Sequence, residues 1–366
     1  MMRKEKITYS SSVDGTSPLY LDVVYDDAQS ELPIIVVMHG YGGDRSHVAE
    51  SLERLAEKGL FAAAPDMRGH GDSAGKRDSG GVEIMDIYDA IECVRNSFGN
   101  RIDPENVNIV GYSGGGGNVF SCATKFPDLF RSANSFFGIS DYAYWYKHVP
   151  QYAPQLAEDI GGSPDEVPDR YMARNSLLGV VNNPYSAIQL FYDEEEQSCP
   201  PYFDTEYKRI ADALGYDNVT VHESRADDER RWLHGYPKER SDLAEAEDFF
   251  VPRILEGTYP RPVLREKGKL VVVGYLKTKR FTIWLGDGQN AVSECRYVFS
   301  DRERKFTFRM RTSDASVRGK LTVSLAGMTF PVQIIRNGAL VEEIEGGDSY
   351  TYPRFQLSDW FILSGS

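Results

Sequence analysis

Apolar residues recur along this chain in two rhythms, and the rhythm changes near residue 260. In the first part, short β-branched runs alternate with stretches of helical spacing. Leu19 to Tyr25 alternates and, with Ile7 and Thr8, predicts an opening hairpin. Ile34 to Met38 and Leu60 to Pro65 are unbroken apolar runs, as expected of strands buried on both faces. Val107 to Val110, Ala187 to Tyr192 and Val219 to Glu223 extend this set. Between them, Ile84, Ile87, Tyr88, Ile91 and Val94 form a helical stripe within Val82 to Phe98. Val119 to Lys125, Tyr202 to Leu214 and Asp242 to Leu255 read as further helices. Strands alternating with helices predict an α/β domain over residues 1–260, a mostly parallel, doubly wound sheet covered on both faces. After Gly257-Thr-Tyr-Pro-Arg-Pro262 the period falls to two. Residues 269–275, 280–285, 293–300, 305–311, 320–325, 331–335 and 340–344 alternate, and Asn337-Gly338 is a tight-hairpin signal. Seven short strands predict a smaller, all-β sandwich domain over residues 261–366.

The chemistry is concentrated where strands give way to glycine. Ile109-Val-Gly-Tyr-Ser-Gly-Gly-Gly-Gly117 places Ser113 at a strand-to-helix turn so sharp that its neighbours must be small, as in a nucleophile elbow. Upstream, the strand ending at Met38 runs into His39-Gly-Tyr-Gly-Gly43, whose backbone amides are free to turn toward a ligand. Acyl transfer passes through a tetrahedral intermediate whose oxyanion needs two fixed donors, and the amides of Tyr41 and Gly114 are the candidate pair. His70, in Asp66-Met-Arg-Gly-His-Gly-Asp-Ser73, reads as a structural loop residue. The glycine runs lack the Gly-Lys-Ser/Thr ending of a nucleoside-triphosphate loop and the spacing of a dinucleotide fingerprint.

Taken in series, the His-Gly-x-Gly-Gly run, the Asp-x-Arg-Gly-His-Gly-x-Ser run and the serine turn resemble the α/β-hydrolase superfamily. Asp159-Ile-Gly-Gly-Ser-Pro-Asp-Glu-Val-Pro-Asp-Arg-Tyr171, followed by Asn175-Ser176, is similar to the lid-to-strand connection of its prolyl oligopeptidase-like and acetylxylan esterase-like branch. The likeness covers roughly residues 20 to 255 and implies a serine hydrolase of the α/β-hydrolase fold; the C-terminal β domain is extra to it and unexplained by it.

Serine is a poor nucleophile at neutral pH and needs an imidazole base, itself oriented by a carboxylate. The resemblance puts both downstream of Ser113, where His148, His222 and His234 stand. His222 lies inside an alternating strand, and His148 sits in an aromatic stretch. His234, in a loop beyond that strand, is the expected base, with His222 the alternative. The acid is expected in Asp193-Glu-Glu-Glu196 at the end of a strand. Relatives carry it four residues before a proline, so Pro200 selects Glu196; Asp193 is the runner-up, because family practice favours aspartate. The segment 140–175 is long and carries Tyr142, Tyr144, Trp145, Tyr146 and Tyr152, so it is expected to cap the cleft, with Tyr142, Trp145 and His148 as candidate substrate contacts.

Composition narrows the partners. With 55 acidic against 41 basic residues the net charge is -14, which repels phosphate backbones and anionic lipid; neither nucleic acid nor membrane is an expected partner. Four cysteines, Cys93, Cys122, Cys199 and Cys295, show no Cys-x-x-Cys spacing, so neither a zinc cage nor a disulfide framework is expected, and the histidine-activated serine requires no metal or cofactor. The opening residues lack the apolar core of a signal peptide, which predicts a cytoplasmic protein. Trp284, Tyr297, Tyr350, Tyr352 and Trp360 offer a carbohydrate platform or ordinary core packing, and the β domain is also the place where an oligomer would form. Three functions follow: an esterase for short acyl esters, including acylated carbohydrate; a serine peptidase of the prolyl oligopeptidase type; and a noncatalytic sugar binder.

Overall fold

Strands β1 (Met2–Tyr9), β2 (Leu19–Asp26), β3 (Leu32–Met38), β4 (Phe61–Pro65), β5 (Ile102–Tyr112), β6 (Ser132–Phe136), β7 (Ala187–Asp193) and β8 (Val219–Ser224) hydrogen-bond in the order β1-β2-β4-β3-β5-β6-β7-β8. β1 and β2 run antiparallel, and β3 to β8 are parallel. The computed structural model describes residues 1–234, 244, 246–300, 305–311, 316–325, 331–345, 349–356 and 359–365. Alternation along β3 shows why an unbroken apolar run was required. Ile34, Val36 and Met38 enter one core with α2 (Glu83–Phe98) and α3 (Gly114–Lys125), while Ile35 and Val37 enter another with α1 (Ala49–Glu57).

The opening hairpin forms as expected, with Ile7 opposite Leu21, but β1 is longer than its two legible residues, and β6 escapes a hydrophobicity reading altogether. Most of β1 is exposed and carries Arg3, Lys4, Glu5 and Lys6, charges that protect a sheet edge from further pairing. β6 is buried throughout yet polar. Ser132 Oγ donates to Asn108 Oδ1 at 2.9 Å, and Asn134 Nδ2 donates to Ile109 O at 3.0 Å, so these two donors are satisfied by β5.

The segment expected as a cap folds into α4 (Tyr142–His148), α5 (Ala153–Ile160) and α6 (Pro168–Met172), none of which lines the cavity at Ser113, and α7 (Tyr202–Ala213) leads into β8. The helix expected over 242–255 falls partly outside the described residues. Within them the chain makes a single turn at Glu247–Phe249 and a short helix, Val251–Leu255, started by Pro252. Among the described residues no helix is long and apolar enough to cross a membrane.

The C-terminal strands are β9 (Lys267–Val273), β10 (Tyr275–Lys277), β11 (Phe281–Leu285), β12 (Val292–Ser300), β13 (Lys305–Arg311), β14 (Arg318–Ser324), β15 (Val332–Arg336), β16 (Ala339–Ile344), β17 (Ser349–Gln356) and β18 (Trp360–Gly365). The expected run 269–275 is split at Gly274, whose positive φ of 75° turns the chain. β17 holds Pro353 and is an edge strand, and its ladder with β14 skips register there. The described strands form one antiparallel succession, β16-β15-β18-β13-β12-β9-β10-β11-β14-β17, around a single core. Its ends meet through side chains: Tyr350 Oη donates to Glu342 Oε2 at 3.1 Å, and Arg336 donates to Tyr352 Oη.

This second sheet docks on α3. Asn182 bridges Thr124 O and Val271 O at 2.9 and 2.8 Å, and Tyr275 enters the first core. Lys125, fully buried, donates to Ala173 O at 3.1 Å and to Val273 O, with its ammonium 4.4 Å from the Tyr275 ring centre. Burial, with the nearby Arg174 charge, pushes this amine down to about 7. Unfolding returns it toward its ordinary 10.5. Between these values the unfolded chain holds more of the proton, so raising the pH favours the fold. From about pH 7 to about pH 10.5, the thermal midpoint of the wild type should therefore climb relative to that of Lys125→Met; parallel curves would refute the assignment.

Candidate active site

β5 ends at Tyr112 and α3 begins at Gly114, so Ser113 alone makes the turn. It does so at φ 57° and ψ -120°, a conformation that costs a side-chain-bearing residue roughly 1–3 kcal/mol. The surrounding glycines are required by contact. A β-carbon on Gly111 would overlap the Gly115 carbonyl, and one on Gly115 would stand 2.6 Å from the His39 carbonyl oxygen. The serine amide donates to Phe136 O at 3.0 Å, which ties the turn to β6.

A β-carbon on Gly114 would lie 2.6 Å from the Tyr41 amide nitrogen, so the loop after β3 and the first turn of α3 meet backbone to backbone. Neither amide donates to a protein acceptor among the described residues. Both border the serine, and the Gly114 amide opens a twelve-residue helix whose dipole favours negative charge at that end.

The acidic run divides its contacts. Glu196 Oε2 accepts from the His234 amide at 2.7 Å, and Glu196 Oε1 lies 3.0 Å from His234 Nδ1. The ring nitrogen is tilted off a straight hydrogen bond to that oxygen. Burial raises the Glu196 carboxyl, but the imidazole and the amides of His234 and Cys199 outweigh it and leave the group below its ordinary value. Asp193 turns the other way. It accepts from Arg231 at 2.6 and 2.8 Å and from Ser224 Oγ at 2.8 Å, while Glu195 takes Arg231 at 2.7 Å. Asp193 thereby anchors the loop that carries His234. His222 is packed: it stacks on Phe191, contacts Gln189 Oε1 at 2.8 Å, and is pushed down to about 4 by burial.

Ser113 and His234 open onto one cavity of about 220 Å³ with Gly40, Tyr112 and Phe137. Phe137 lies against the imidazole at 4.4 Å. The opposite wall comes from His47 and the start of α1, where Val48, Ser51 and Arg54 share a helix face with Glu50 beside them. Arg54 is held from behind by buried Glu247 at 2.6 Å. No sequence motif marks this wall, because residues spaced by three on an amphipathic helix look the same whether they line a cavity or a core. Cys199 was equally unmarked. Its buried thiol stands 3.8 Å from Ser113 Oγ, and among the described residues no hydrogen bond joins that hydroxyl to the imidazole.

The aromatic cap residues lie elsewhere. Tyr142 and Trp145 are buried in the core and do not line the cavity; the Trp145 indole donates to Ser198 O at 2.7 Å and so props the acid loop. His148 is exposed and stacked on Tyr144. His39 and His70 are buried loop residues whose basicity burial lowers. Among the aromatics offered as a sugar platform, Trp284 stacks on Tyr275 at the seam between the sheets, and Tyr297 and Tyr350 face the β core.

Ser113→Gly should raise stability by about 1 kcal/mol, because the strain exceeds the entropy that glycine adds to the unfolded chain. Ser113→Ala keeps the β-carbon and should not. Equal thermal midpoints for the two variants would show that the turn is unstrained.

A profile of the prolyl oligopeptidase family matches residues 44–252. The uncharacterized peptidase YtmA of Bacillus subtilis is 25% identical over 145 residues, 40% of this chain and 55% of that protein. The monoacylglycerol lipase of Mycolicibacterium smegmatis is 34% identical over 97 residues, 26% of this chain and 33% of its own. The chain thus spans about half the length, or less, of these curated relatives. In architecture it is similar to the acylaminoacyl peptidase of Pyrococcus horikoshii, with TM-score 0.58 at 17% identity over 72% of this chain and 43% of the other. With more than half of its length matched by that profile, the chain belongs to the prolyl oligopeptidase family of α/β-hydrolase-fold serine hydrolases.

Proposed function

We propose that this protein hydrolyses carboxylic esters of short acyl groups through an acyl-enzyme. Ser113 attacks the carbonyl, His234 takes its proton and returns it to the leaving alcohol, and Glu196 holds the imidazole. The amides of Tyr41 and Gly114 receive the oxyanion. Water then enters by the same route, and His234 deprotonates it to release the acid. The observation that carries the reading is the strained Ser113 sharing one cavity with the imidazole that Glu196 holds. For attack, Ser113 Oγ swings from the Cys199 thiol toward Nε2, the ring nitrogen that Glu196 leaves unengaged; catalytic hydrogen bonds commonly tighten only once substrate is bound.

Size supports the acyl preference. A cavity of about 220 Å³ is smaller than the roughly 300–1,000 Å³ typical of sites for drug-sized ligands. The stretch shared with a lipase favours an ester, and acylated carbohydrate remains within the proposed class of alcohols. The peptidase reading has its own support in the family match and in the peptidase among the relatives, and it uses the same groups.

Wild type should turn over 4-nitrophenyl acetate and butyrate faster than the laurate and faster than aminoacyl nitroanilides. A reversed preference between ester and anilide would favour the peptidase. Ser113→Ala should lower kcat by about a millionfold. Glu196→Gln should cost about a thousandfold or more, and Asp193→Asn, which loosens only the anchoring of the loop, about tenfold. Initial rates on the acetate check the ranking, and the opposite order would hand the orienting role to Asp193.

A further inference from the structure

The Tyr41 side chain leaves the oxyanion loop in the direction of the cap. Its phenol donates to Asp159 Oδ2 on α5 at 2.8 Å and lies 3.1 Å from Ser79 Oγ, which itself donates to the same carboxylate oxygen at 2.6 Å. The other oxygen, Oδ1, accepts from Gln155 Nε2 at 2.8 Å. Around the ring, Trp145 packs edge-on at 5.1 Å, and the Arg77 guanidinium sits 5.2 Å from its centre. Ser79 is itself fixed: its backbone has φ 45°, and its carbonyl accepts from buried Arg174 at 3.1 Å. One carboxylate oxygen therefore gathers the phenol of the oxyanion loop and a rigid serine from a second loop.

The backbone of Tyr41 sits in a turn closed by the Gly43 amide, which donates to Gly40 O at 3.0 Å. Gly114 approaches it closely on one side, and glycine follows Tyr41 at Gly42, where φ is 78°. That bond fixes the turn internally, but glycines on both sides let it tilt as a unit, and a tether on the residue between them sets where the amide aims. We propose that Asp159 is a positioning residue that aims the Tyr41 amide at the oxyanion, so that the cap, through Tyr41 and Ser79, completes the electrostatic half of the site. The proposal rests on the serine-hydrolase reading above. It also assigns the phenol: committed to Asp159, it serves as the tether, and the main-chain amide does the donating. Docking of α5 and readiness for the tetrahedral intermediate thereby become one event.

The test compares wild type with Asp159→Ala, Asp159→Asn and Tyr41→Phe in the full chain. Losing a single oxyanion donor costs about a hundredfold to a thousandfold, and misaiming one should cost about tenfold to a hundredfold. For Asp159→Ala and Tyr41→Phe, kcat on 4-nitrophenyl acetate should fall by that factor, with KM changed less than about twofold. Affinity for a boronic acid, which forms a tetrahedral adduct on Ser113, should fall in parallel. Asp159→Asn keeps an acceptor for the phenol and should recover most of the rate, a pattern that a merely structural role would not give. Tyr41→Phe removes one oxygen and serves if Asp159→Ala fails to fold. Wild-type kcat and boronate affinity in Tyr41→Phe would overturn the brace alone. If a fluorophosphonate fails to label Ser113 in wild type, the serine-hydrolase reading falls, and the brace falls with it.

Discussion

The structure turns on a contact between two stretches of main chain. Where β5 becomes α3, Gly114 lies so close to Tyr41 that a single added carbon would come within 2.6 Å of the Tyr41 amide nitrogen. That approach sets two amides side by side next to Ser113, which itself turns in a strained conformation. Everything else positions groups around this junction. Parallel strands β3 and β5 bring the two loops to the same end of the sheet, as an α/β fold does for its ligand sites. β6 supplies the carbonyl that holds the serine amide.

The partners of that junction are held by unequal means. His234 stands at the end of a loop whose register depends on charge: Asp193 and Glu195 grip Arg231, the Trp232 amide donates to Ser224 Oγ at 2.8 Å, and Glu196 is left facing the imidazole. A run of four carboxyl-bearing residues is thus resolved by geometry into distinct duties. Two anchor the loop and one faces the imidazole. The fourth, Glu194, lies 3.9 Å from exposed Arg225 at the surface, a separation at which an ion pair contributes little.

What the chain discloses before folding follows from which forces leave a local trace. The strands β3 and β4 are continuous apolar runs because both of their faces are covered, and the glycine runs survive as motifs because contact forbids any other residue. β6 left no trace, because its burial is satisfied by asparagine and serine bonding to neighbouring strands. Of β1 only Ile7 and Thr8 were legible as one arm of the opening hairpin, its charged remainder giving no signal, and β17 hid behind Pro353. Of the site, Ser113, Tyr41 and Gly114 were readable because local backbone strain selects their neighbours. Glu196 needed a proline offset borrowed from relatives. The wall from His47 to Arg54, the thiol of Cys199 and the carboxylate of Asp159 depend on contacts between distant segments and carry no local signature. The aromatic cap misled for a related reason: Tyr142 and Trp145 have the composition of a binding surface and the burial of a core.

The C-terminal strands close on themselves in an unusual currency. Neighbouring strands along that succession share main-chain ladders, but β16 and β17 touch through the Tyr350 phenol on Glu342, with Arg336 of β15 on Tyr352 nearby. A ring sealed by a few side chains at one place and by ladders elsewhere parts first at that place, as a zip opens at its slider. Those two contacts therefore tie together the strands at which the succession begins and ends.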